Sequence, residues 1–381
     1  MTSAISLYIH IPFCRAKCAY CDFNSYPDLD HLFEKYVRAL QTEIQWVGQD
    51  QPRRVNTIYL GGGTPTVLPL ALLGEILDTC RKHFTMAAGA EITVEANPGT
   101  VDSGYLAGLR EKGVTRLSIG VQSFHDNELR LLGRIHTAAQ AVESYRLARQ
   151  AGWSNINLDL IYGLPRQTLS RWRATLRQAI HLRPDHLSLY CLSVEEDTPL
   201  GQRIARGELP VPNPDLAAEM YILAEEMLDR TGYIHYEISN WAQPGHECRH
   251  NLTYWHNLPY LGLGAGAHSF FNRQRWHNVL SPADYITRLE AGSPSAEEVE
   301  ELNEALEVAE TVILGLRLVQ EGVRFADFRE RFGWDLRDVY GREIRKMEQA
   351  GLLEVDRERV RLTARGRLLG NEVFQQFLPE P

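Results

Sequence analysis

Residues Leu7–Ser25 read LYIHIPFCRAKCAYCDFNS and combine an apolar run with three closely spaced cysteines. Cys14, Cys18 and Cys21 form a C-x3-C-x2-C pattern on a short loop that follows the apolar run. The next cysteine in the chain is Cys80, so the loop itself offers only three thiols. Six cysteines in a chain of 381 residues do not indicate a disulfide scaffold. The triplet is more typical of a metal site.

The spacing of the triplet favours an iron–sulfur cluster with one open iron. Three thiolates on a tight loop can hold three corners of a [4Fe–4S] cube, and the fourth iron would then lack a protein ligand. An open iron is a Lewis acid that can bind a small molecule through its amine and carboxylate. The alternative is a zinc site, which usually takes four protein ligands and which Cys80, Cys191 or a histidine such as His10 would complete.

Apolar runs with strand composition alternate with helical segments around this loop. The runs predicted as strands are Ser6–Ile11, Val55–Leu60, Glu91–Ala96, Arg116–Val121, Asn155–Tyr162 and His186–Leu192. The segments predicted as helices are about 31–47, Pro69–Phe84, Asp102–Lys112, Ala138–Ala151, Leu169–Leu182 and Asp215–Arg230. Because strand and helix alternate repeatedly, we predict an α/β fold with a parallel sheet and helical crossovers, arranged as a partial (β/α)6 barrel.

Polar residues lie towards the carboxyl ends of three predicted strands. They are Glu95, Gln122 and Asp159. In parallel β/α folds, ligands bind at this end because the βα loops and the helix N-termini meet there. We therefore expect these three side chains at a binding site; the alternative is that they only mark the points where the strands end.

The sequence pattern becomes irregular after residue 231. Residues 232–294 are rich in aromatic residues, His and Gly, which predicts an α+β extension of the barrel. The stretch 291–296 (AGSPSA) has the composition of a linker, and Ser295 followed by Glu298 predicts a capping box at the start of the next helix.

The C-terminal tail predicts a small winged-helix-like domain. Gly351–Leu362 has the pattern of a β-hairpin wing between two helices. Residues 301–381 carry 16 acidic and 13 basic residues, so we expect this region to pack or to contact a partner rather than to read DNA. The predicted domains are thus 1–231, 232–294 and 295–381.

The composition excludes several classes of protein. The 44% hydrophobic and 23% charged content is typical of a globular chain, and the net charge of −9 argues against nucleic-acid binding. No apolar run approaches the roughly 18 residues that a membrane span needs. The N-terminus has no basic n-region, so we expect no secretory signal and a cytoplasmic location.

The cysteine loop resembles that of the radical S-adenosylmethionine (SAM) superfamily, in the branch that contains oxygen-independent coproporphyrinogen III oxidase. Further motifs of that branch follow in order along the chain. They are GGGTPT at Gly61–Thr66, EANPGT at Glu95–Thr100, GVQSF at Gly120–Phe124, LGR at Leu132–Arg134 and NLDLIYGLP at Asn157–Pro165.

The resemblance implies a role for individual residues. Cys14, Cys18 and Cys21 would bind the [4Fe–4S] cluster. The residues that would contact SAM are Tyr8, Tyr20, Gly62, Gly63, Thr64, Glu95, Gln122, Arg134 and Asp159. Among them, Tyr20 could stack on adenine, and Glu95 and Arg134 have the charges that suit the amine and the carboxylate of SAM.

Two features separate this chain from the oxidase. The oxidase pattern continues with a further cysteine two residues after the triplet, where this chain has Phe23, and the oxidase carries an N-terminal arm that we do not expect here. The stretch His250–Trp255 reads HNLTYW and fits an H-N-x-x-Y-W pattern. Together with CDFN after the triplet, this pattern resembles the HemW family of radical-SAM haem chaperones.

The HemW resemblance implies that His250 is a haem ligand. An imidazole flanked by aromatic residues suits haem, because its nitrogen can bind iron while the aromatic faces contact the macrocycle. The alternative is a hydrogen-bonded structural His250 beside a core Trp255. Other candidate ligands lie nearby: His246, Cys248 and His268.

The resemblance as a whole implies a chaperone that binds haem, SAM and a [4Fe–4S] cluster and transfers haem to acceptor proteins such as respiratory enzymes. A homodimer is compatible with the sequence. The first alternative is the oxidase itself, an enzyme that decarboxylates coproporphyrinogen III by radical-SAM chemistry. The second is a degenerate scaffold that binds partners and has no redox role.

Overall fold

Parallel strands in chain order form the centre of the structure, a computed structural model that describes residues 4–49 and 53–379. These strands are β1 (Ile5–Ile11), β2 (Arg54–Gly62), β3 (Thr85–Ala96), β4 (Arg116–Gln122), β5 (Ile156–Tyr162) and β6 (His186–Cys191). Each is parallel to the next. Side chains alternate between the two faces, so that Leu7 and Ile9 pack against helices while Tyr8 and His10 face inwards.

Helices cover the outer face of these strands. They are α1 (Phe33–Gln49), α2 (Leu70–His83), α3 (Ser103–Glu111), α4 (Asp126–Leu131), α5 (Ala138–Gln150), α6 (Leu169–Leu182), α7 (Pro199–Ala205) and α8 (Pro214–Asp229). Asp102, Thr137 and Thr168 cap α3, α5 and α6 by accepting a backbone N–H of the first turn. Short 3-10 helices cover Asp30–Leu32, Pro65–Val67 and Gln375–Phe377.

The remaining strands extend the sheet on both sides instead of closing it. The elements involved are β7 (Ile234–Glu237), β8 (Asn240–Ala242), α9 (Arg249–Trp255), β9 (Tyr260–Leu263), β10 (His268–Phe271), β11 (Gln274–Asn278), α10 (Pro282–Glu290) and β12 (Ala296–Glu301). The strand order within the described residues is β12-β11-β10-β9-β1-β2-β3-β4-β5-β6-β8-β7. The predicted partial (β/α)6 barrel with an α+β extension is confirmed.

The C-terminal part has a separate hydrophobic core and its own sheet. Its elements are α11 (Glu304–Gly315), β13 (Val323–Arg324), α12 (Phe325–Phe332), α13 (Leu336–Gln349), β14 (Leu353–Val355), β15 (Arg359–Leu362), α14 (Ala364–Leu368) and α15 (Gly370–Phe374). The small antiparallel sheet has the order β13-β15-β14, and its core includes Phe325, Phe328 and Val360. This agrees with the predicted winged-helix-like domain.

The predicted helix start at Ser295 is wrong. Residues 296–301 form β12, which pairs with β11, and the helix begins at Glu304 with Asn303 as its N-cap. The Ser295 hydroxyl instead donates to the carboxylate of Glu43 at 2.8 Å. Pairing with a neighbouring strand decides the conformation of this glutamate-rich segment, whose local propensity is not that of a strand. The predicted domain division at 294/295 stays a prediction. Because β12 pairs with β11 of the extension, the structure favours a division near residue 303 instead.

None of the helices in the described ranges combines the length and the apolar character that crossing a membrane would require.

Candidate metal and cofactor site

The cysteine loop leaves β1 and is held at its base and at its tip. At the base, the Tyr26 N–H donates to the Pro12 carbonyl at 2.7 Å, and the Cys14 N–H donates to the Tyr26 carbonyl at 3.0 Å. At the tip, the Ala19 N–H donates to the Leu132 carbonyl at 2.9 Å. These bonds hold in place a loop that has no regular secondary structure of its own.

All three thiols of the loop line one cavity of about 330 Å³ at the carboxyl ends of the parallel strands. Cys14, Cys18 and Cys21 are free and half-buried. Burial raises the pKa of the Cys14 and Cys21 thiols above the ordinary value. A metal would offset this cost because it binds the thiolate form. Three thiols without a fourth cysteine on the loop fit a cube with one open corner.

Polar groups contact two of these sulfur atoms. The Arg134 guanidinium donates to Cys18 Sγ at 3.4 Å, and the Thr64 hydroxyl lies 3.6 Å from Cys14 Sγ. Hydrogen bonds to sulfur are one of the means by which proteins set the potential of an iron–sulfur cluster. The site therefore provides both ligands and groups that would stabilise their negative charge.

The predicted donors for a zinc alternative are not gathered around the triplet. Cys80 is fully buried on α2 and does not line the cavity, and burial raises the pKa of its thiol to about 12. The His10 ring contacts the Tyr8 hydroxyl at 3.1 Å and the Asn24 carbonyl at 2.8 Å. Of the three, only Cys191 lines the cavity. Within the described residues, no three His, Cys, Asp or Glu side chains form a site for a single metal ion.

Glycine backbone forms the wall beside Cys14. Gly62 has φ +108°, and a Cβ on Gly63 would lie 2.6 Å from the Phe13 carbonyl oxygen. Both positions therefore need glycine, because any side chain would strain the backbone or push the cysteine loop away. Thr64 follows, fully enclosed, with its hydroxyl accepting a hydrogen bond from Asn97 at 2.7 Å. A ligand in the cavity can thus approach main-chain atoms directly.

Glu95 supplies a carboxylate at the cavity wall. It accepts hydrogen bonds from the Tyr59 hydroxyl at 2.7 Å and from the Gly62 N–H at 3.3 Å. Burial, reinforced by the nearby charge of Asp159, raises the pKa of Glu95 to about 7. A cation bound in the cavity would return this group to its ionised form.

Arg134 and Gln122 provide two further polar groups of the cavity. Arg134 donates to the Gly120 carbonyl at 2.7 Å and to the side chain of Asn97. Gln122 ends β4 with φ +65°, and its Oε1 has no partner within residues 4–49 and 53–379. A buried amide oxygen in a strained backbone is a group that a bound ligand could satisfy.

Asp159 and Tyr20 also line the cavity, with different surroundings. Both carboxylate oxygens of Asp159 are already bonded, to Asn157 at 2.8 Å and to Ser118 at 3.0 Å, and burial raises its pKa. Tyr20 packs against a small apolar cluster that includes Leu132. The Tyr20 ring thus lies between this cluster and the cavity, while Asp159 has less capacity left for a ligand.

Tyr8 and His250 do not line the cavity. Tyr8 pairs in register with Tyr59, which does line the cavity, and the two rings stack with 6.3 Å between their centroids. His250 is 1% exposed, and its two ring nitrogens contact the Thr57 hydroxyl at 2.7 Å and the Tyr254 hydroxyl at 2.9 Å. Burial, together with Arg116, lowers the pKa of His250 to about 3. In this structure its surroundings are those of a structural histidine.

Several residues of the cavity were not predicted. They include Tyr59, Asn97, Ser118 and Tyr190. Asn97 matters most, since its side chain bonds both Arg134 and Thr64. Tyr59 and Ser118 could have been predicted from the two-residue period of the strands, because both lie on the inward face together with predicted site residues.

Comparisons with known proteins place this chain in a family. The radical SAM superfamily matches residues 8–179, and the HemN C-terminal domain matches residues 303–369. The protein "Heme chaperone HemW" of Bacillus subtilis is 38% identical over 378 residues, which cover 98% of this chain and 99% of that protein. The chain therefore belongs to the HemW family. The predicted family is confirmed.

Other comparisons agree with this HemW-family assignment. The protein named "Heme chaperone HemW" of Lactococcus lactis is 36% identical over 98% of this chain and 97% of its own length. Among solved structures, coproporphyrinogen III oxidase (HemN) from Escherichia coli is 26% identical, with a TM-score of 0.86 over 98% of this chain and 89% of that chain. This chain of the HemW family thus shares its fold with the oxidase.

Proposed function

We propose that this HemW-family chain is a haem chaperone that binds haem, SAM and a [4Fe–4S] cluster and transfers haem to acceptor proteins. Similarity over nearly the whole chain to proteins named heme chaperone carries the proposal. The cysteine cavity supports it, because its three thiols, unpaired amide oxygen and close glycine backbone fit a cluster with a small bound ligand.

Cys14, Cys18 and Cys21 would hold the cluster. The Thr64 hydroxyl and the Arg134 guanidinium, which lie next to two of the sulfur atoms, would stabilise the thiolates. The cluster would supply a one-electron donor and an open Lewis-acidic iron. The fixed loop would keep the three sulfur atoms in place while the metal centre is assembled.

Changing single cysteines tests the cluster. We expect Cys14→Ser, Cys18→Ser and Cys21→Ser each to remove most iron and sulfide from anaerobically reconstituted protein. Cys80→Ser should remove none, because Cys80 is buried on α2 away from the cavity. The measurement is iron and sulfide per chain. Loss of metal in the Cys80 variant, or zinc as the metal of the purified chain, would contradict a cluster held at three corners.

The SAM site would use the remaining residues of the cavity. SAM supplies a sulfonium with an amine and a carboxylate. Glu95 would bind the amine, Arg134 the carboxylate, and Gly62, Gly63 and Thr64 would allow close backbone approach. The nucleoside end would meet Gln122, Asp159 and the ring of Tyr20. Tyr8 would act through Tyr59, on which it stacks.

The oxidase is the second candidate, because the fold is shared with HemN at a TM-score of 0.86. Two sequence features weigh against it. The cysteine that the oxidase pattern carries two residues after the triplet is Phe23 here, and the H-N-x-x-Y-W stretch is present at His250–Trp255.

The proposal extends to the acceptor proteins and the cellular location. Respiratory enzymes are among the acceptors that a haem chaperone would suit, and we propose a cytoplasmic location. A homodimer stays a prediction, as does the role of His250 as a haem ligand. In the described conformation, His250 could reach iron only after losing its bonds to Thr57 and Tyr254.

One experiment separates the two functions. Anaerobically reconstituted protein is titrated with haemin while the Soret band is recorded, and in parallel it is supplied with coproporphyrinogen III, SAM and a reductant. We expect stable haem binding without decarboxylation. Decarboxylation at a useful rate without retained haem would overturn the chaperone proposal in favour of the oxidase.

A further inference from the structure

A second large cavity lies between the end of α9 and the C-terminal part, and it shares no residue with the cysteine cavity. Its volume is about 600 Å³. The residues that line it come from Trp255–Pro259, from α11, from the loop before β13 and from α12. Pockets of about 300–1,000 Å³ are typical of sites for small molecules and cofactors. We call it the interdomain cleft.

Aromatic and apolar side chains form the walls of this cleft. Trp255, Leu258, Leu318 and Phe328 all line it. The Trp255 Nε1–H is buried and has no acceptor in the part of the chain that the structure describes. Leu258 is 47% exposed and adds apolar surface to the cleft. The cleft thus presents mainly apolar surface next to Trp255, whose ring is covered on one face by the Arg317 guanidinium at 4.4 Å.

His256 gives the cleft a metal-binding group. Its Nε2 lies 3.2 Å from the Glu321 carboxylate, and its side chain is 35% exposed. Metal-binding histidines commonly donate one ring N–H to a carboxylate, which leaves the other nitrogen for the metal. His250, only two helical turns earlier, offers neither exposure nor a free nitrogen.

Neighbouring bonds hold His256 in place. The Arg331 guanidinium donates to the His256 carbonyl at 3.2 Å and pairs with Glu307 at 2.9 Å. Asn257, in the left-handed region at φ +49°, donates to the Thr311 hydroxyl at 3.0 Å. These contacts come from α11 and α12, so the imidazole is positioned by the C-terminal part as well as by its own segment.

The charged groups of the cleft have both signs. Arg324 and Arg331 line it together with Glu321, Asp327 and Glu330, and Glu321 is already paired with His256. A planar ligand with two carboxylates could direct one of them towards the Arg324 guanidinium, and the other towards Arg331 in exchange for its bond to Glu307. Aromatic side chains, an imidazole and arginine guanidinium groups suit the macrocycle, the iron and the carboxylates of an iron porphyrin.

We propose that the interdomain cleft binds haem and that His256 is the axial ligand. This rests on the proposed function, because it assigns the haem of that proposal to a position. The stretch His250–Trp255 then has a divided role. His250 fixes α9 inside the barrel through Thr57, while Trp255 and the following His256 contact the ligand.

The test is a haemin titration of the anaerobically reconstituted full chain with matched histidine variants. Removal of the ligand in His256→Ala should weaken haem binding by roughly tenfold or more and shift the Soret maximum. His277→Ala is the control, because His277 also lies 3.2 Å from a glutamate, Glu298, but outside the cleft. We expect the control to match the wild type.

A second variant, in which cysteine replaces the axial ligand, distinguishes loss of the ligand from unfolding of the protein. His256→Cys should retain haem with a thiolate-type spectrum, since the identity of the axial ligand sets the absorption and redox properties of haem iron. The assignment is overturned if wild type and His256→Ala bind haem with equal affinity and identical spectra, or if His256→Cys keeps the wild-type spectrum. If the wild type itself binds no haem, the proposed function fails first.

Discussion

Glu95 shows how one residue of the cysteine cavity connects burial with ligand chemistry. Its carboxylate is enclosed beside Asp159 at the end of β3, and the donors to it among the described residues are the Tyr59 hydroxyl and the Gly62 N–H. The pKa of Glu95 is therefore raised from 4.5 to about 7. A bound cation would favour the ionised carboxylate, so binding of a positively charged ligand would be coupled to the loss of this proton.

The raised pKa predicts a pH-dependent stability. Glu95 keeps its proton more firmly in the folded state than in the unfolded state. Its contribution to stability is therefore complete below about pH 4.5 and is lost as the pH rises through 7. The free energies of unfolding of Glu95→Gln and of the wild type are compared without cofactors. The difference in favour of the variant should be about 2 kcal/mol larger at pH 8 than at pH 5, after allowing for solvent in the cavity. Denaturant titrations at both pH values measure this. An equal difference at the two would show that Glu95 ionises normally.

Individual residues also show what the sequence could predict. The cavity gathers the triplet and Tyr20, Glu95, Gln122, Arg134 and Asp159, as predicted from their motifs. The position of His250 could not be read in the same way, because an H-N-x-x-Y-W pattern does not reveal that Thr57, 193 residues away, occupies its ring nitrogen. Local spacing identifies groups that act together on one loop, but not which distant side chains satisfy them.

At the scale of elements, the cysteine loop depends on its packing against the glycine segment that ends β2. The Gly63 N–H donates to the Ile11 carbonyl at 2.9 Å, and the Thr64 N–H donates to the Phe13 carbonyl at 2.8 Å. These bonds extend the parallel pairing of β1 and β2 into the loop itself. The position of the thiols is therefore set by main-chain contact between two consecutive strand ends.

A single methyl group on Gly63 should disturb this contact. In Gly63→Ala the new Cβ would lie 2.6 Å from the Phe13 carbonyl oxygen and 2.9 Å from that of Ile11, and backbone atoms cannot move aside cheaply. We expect the variant to fold but to lose most of its capacity to bind iron and sulfide. Gly104→Ala is the control, since its nearest contact is an ordinary 3.5 Å. Full cluster loading of Gly63→Ala would mean that the loop adapts more freely than its packing indicates.

Elements with a clear period were predicted well, and those fixed by pairing were not. The alternation of apolar residues identifies β1 to β6, because one face of each strand is buried under helices. The sequence AEEVEE of β12 carries no such alternation, and all but its first two residues are exposed. Only its pairing with β11 makes it a strand.

At the scale of the whole molecule, Glu43 on α1 connects the barrel with its extension. Its buried carboxylate accepts four hydrogen bonds from residues far along the chain. The donors are Gly264 at 2.7 Å, Asn278 at 2.7 Å, Tyr285 at 2.6 Å and Ser295 at 2.8 Å. Burial raises the pKa of Glu43, and these four donors counteract the shift. One acidic side chain thus holds the segment from Gly264 to Ser295 against the first helix, α1.

Removing this carboxylate should destabilise the molecule as a whole. Glu43→Ala leaves four donors without their acceptor, so we expect a loss of about 3 kcal/mol or more in free energy of unfolding, with a smaller loss for Glu43→Gln. Glu34→Ala on the same helix should change stability by no more than about 0.5 kcal/mol, because Glu34 is 77% exposed. Thermal and denaturant unfolding measure both. Similar losses for Glu34→Ala and Glu43→Ala would refute a connecting role.

The open sheet has a consequence for self-association. Its outermost strands in the described residues are β12 and β7. The first presents Glu297, Glu298, Glu300 and Glu301, so a second copy approaching there would meet like charge along the whole ladder. Beside the second, Leu318 bridges to Glu237 and occupies part of the free backbone. Two copies of this chain should therefore not merge their sheets into one continuous ribbon, and any dimer would have to form through helices or loops.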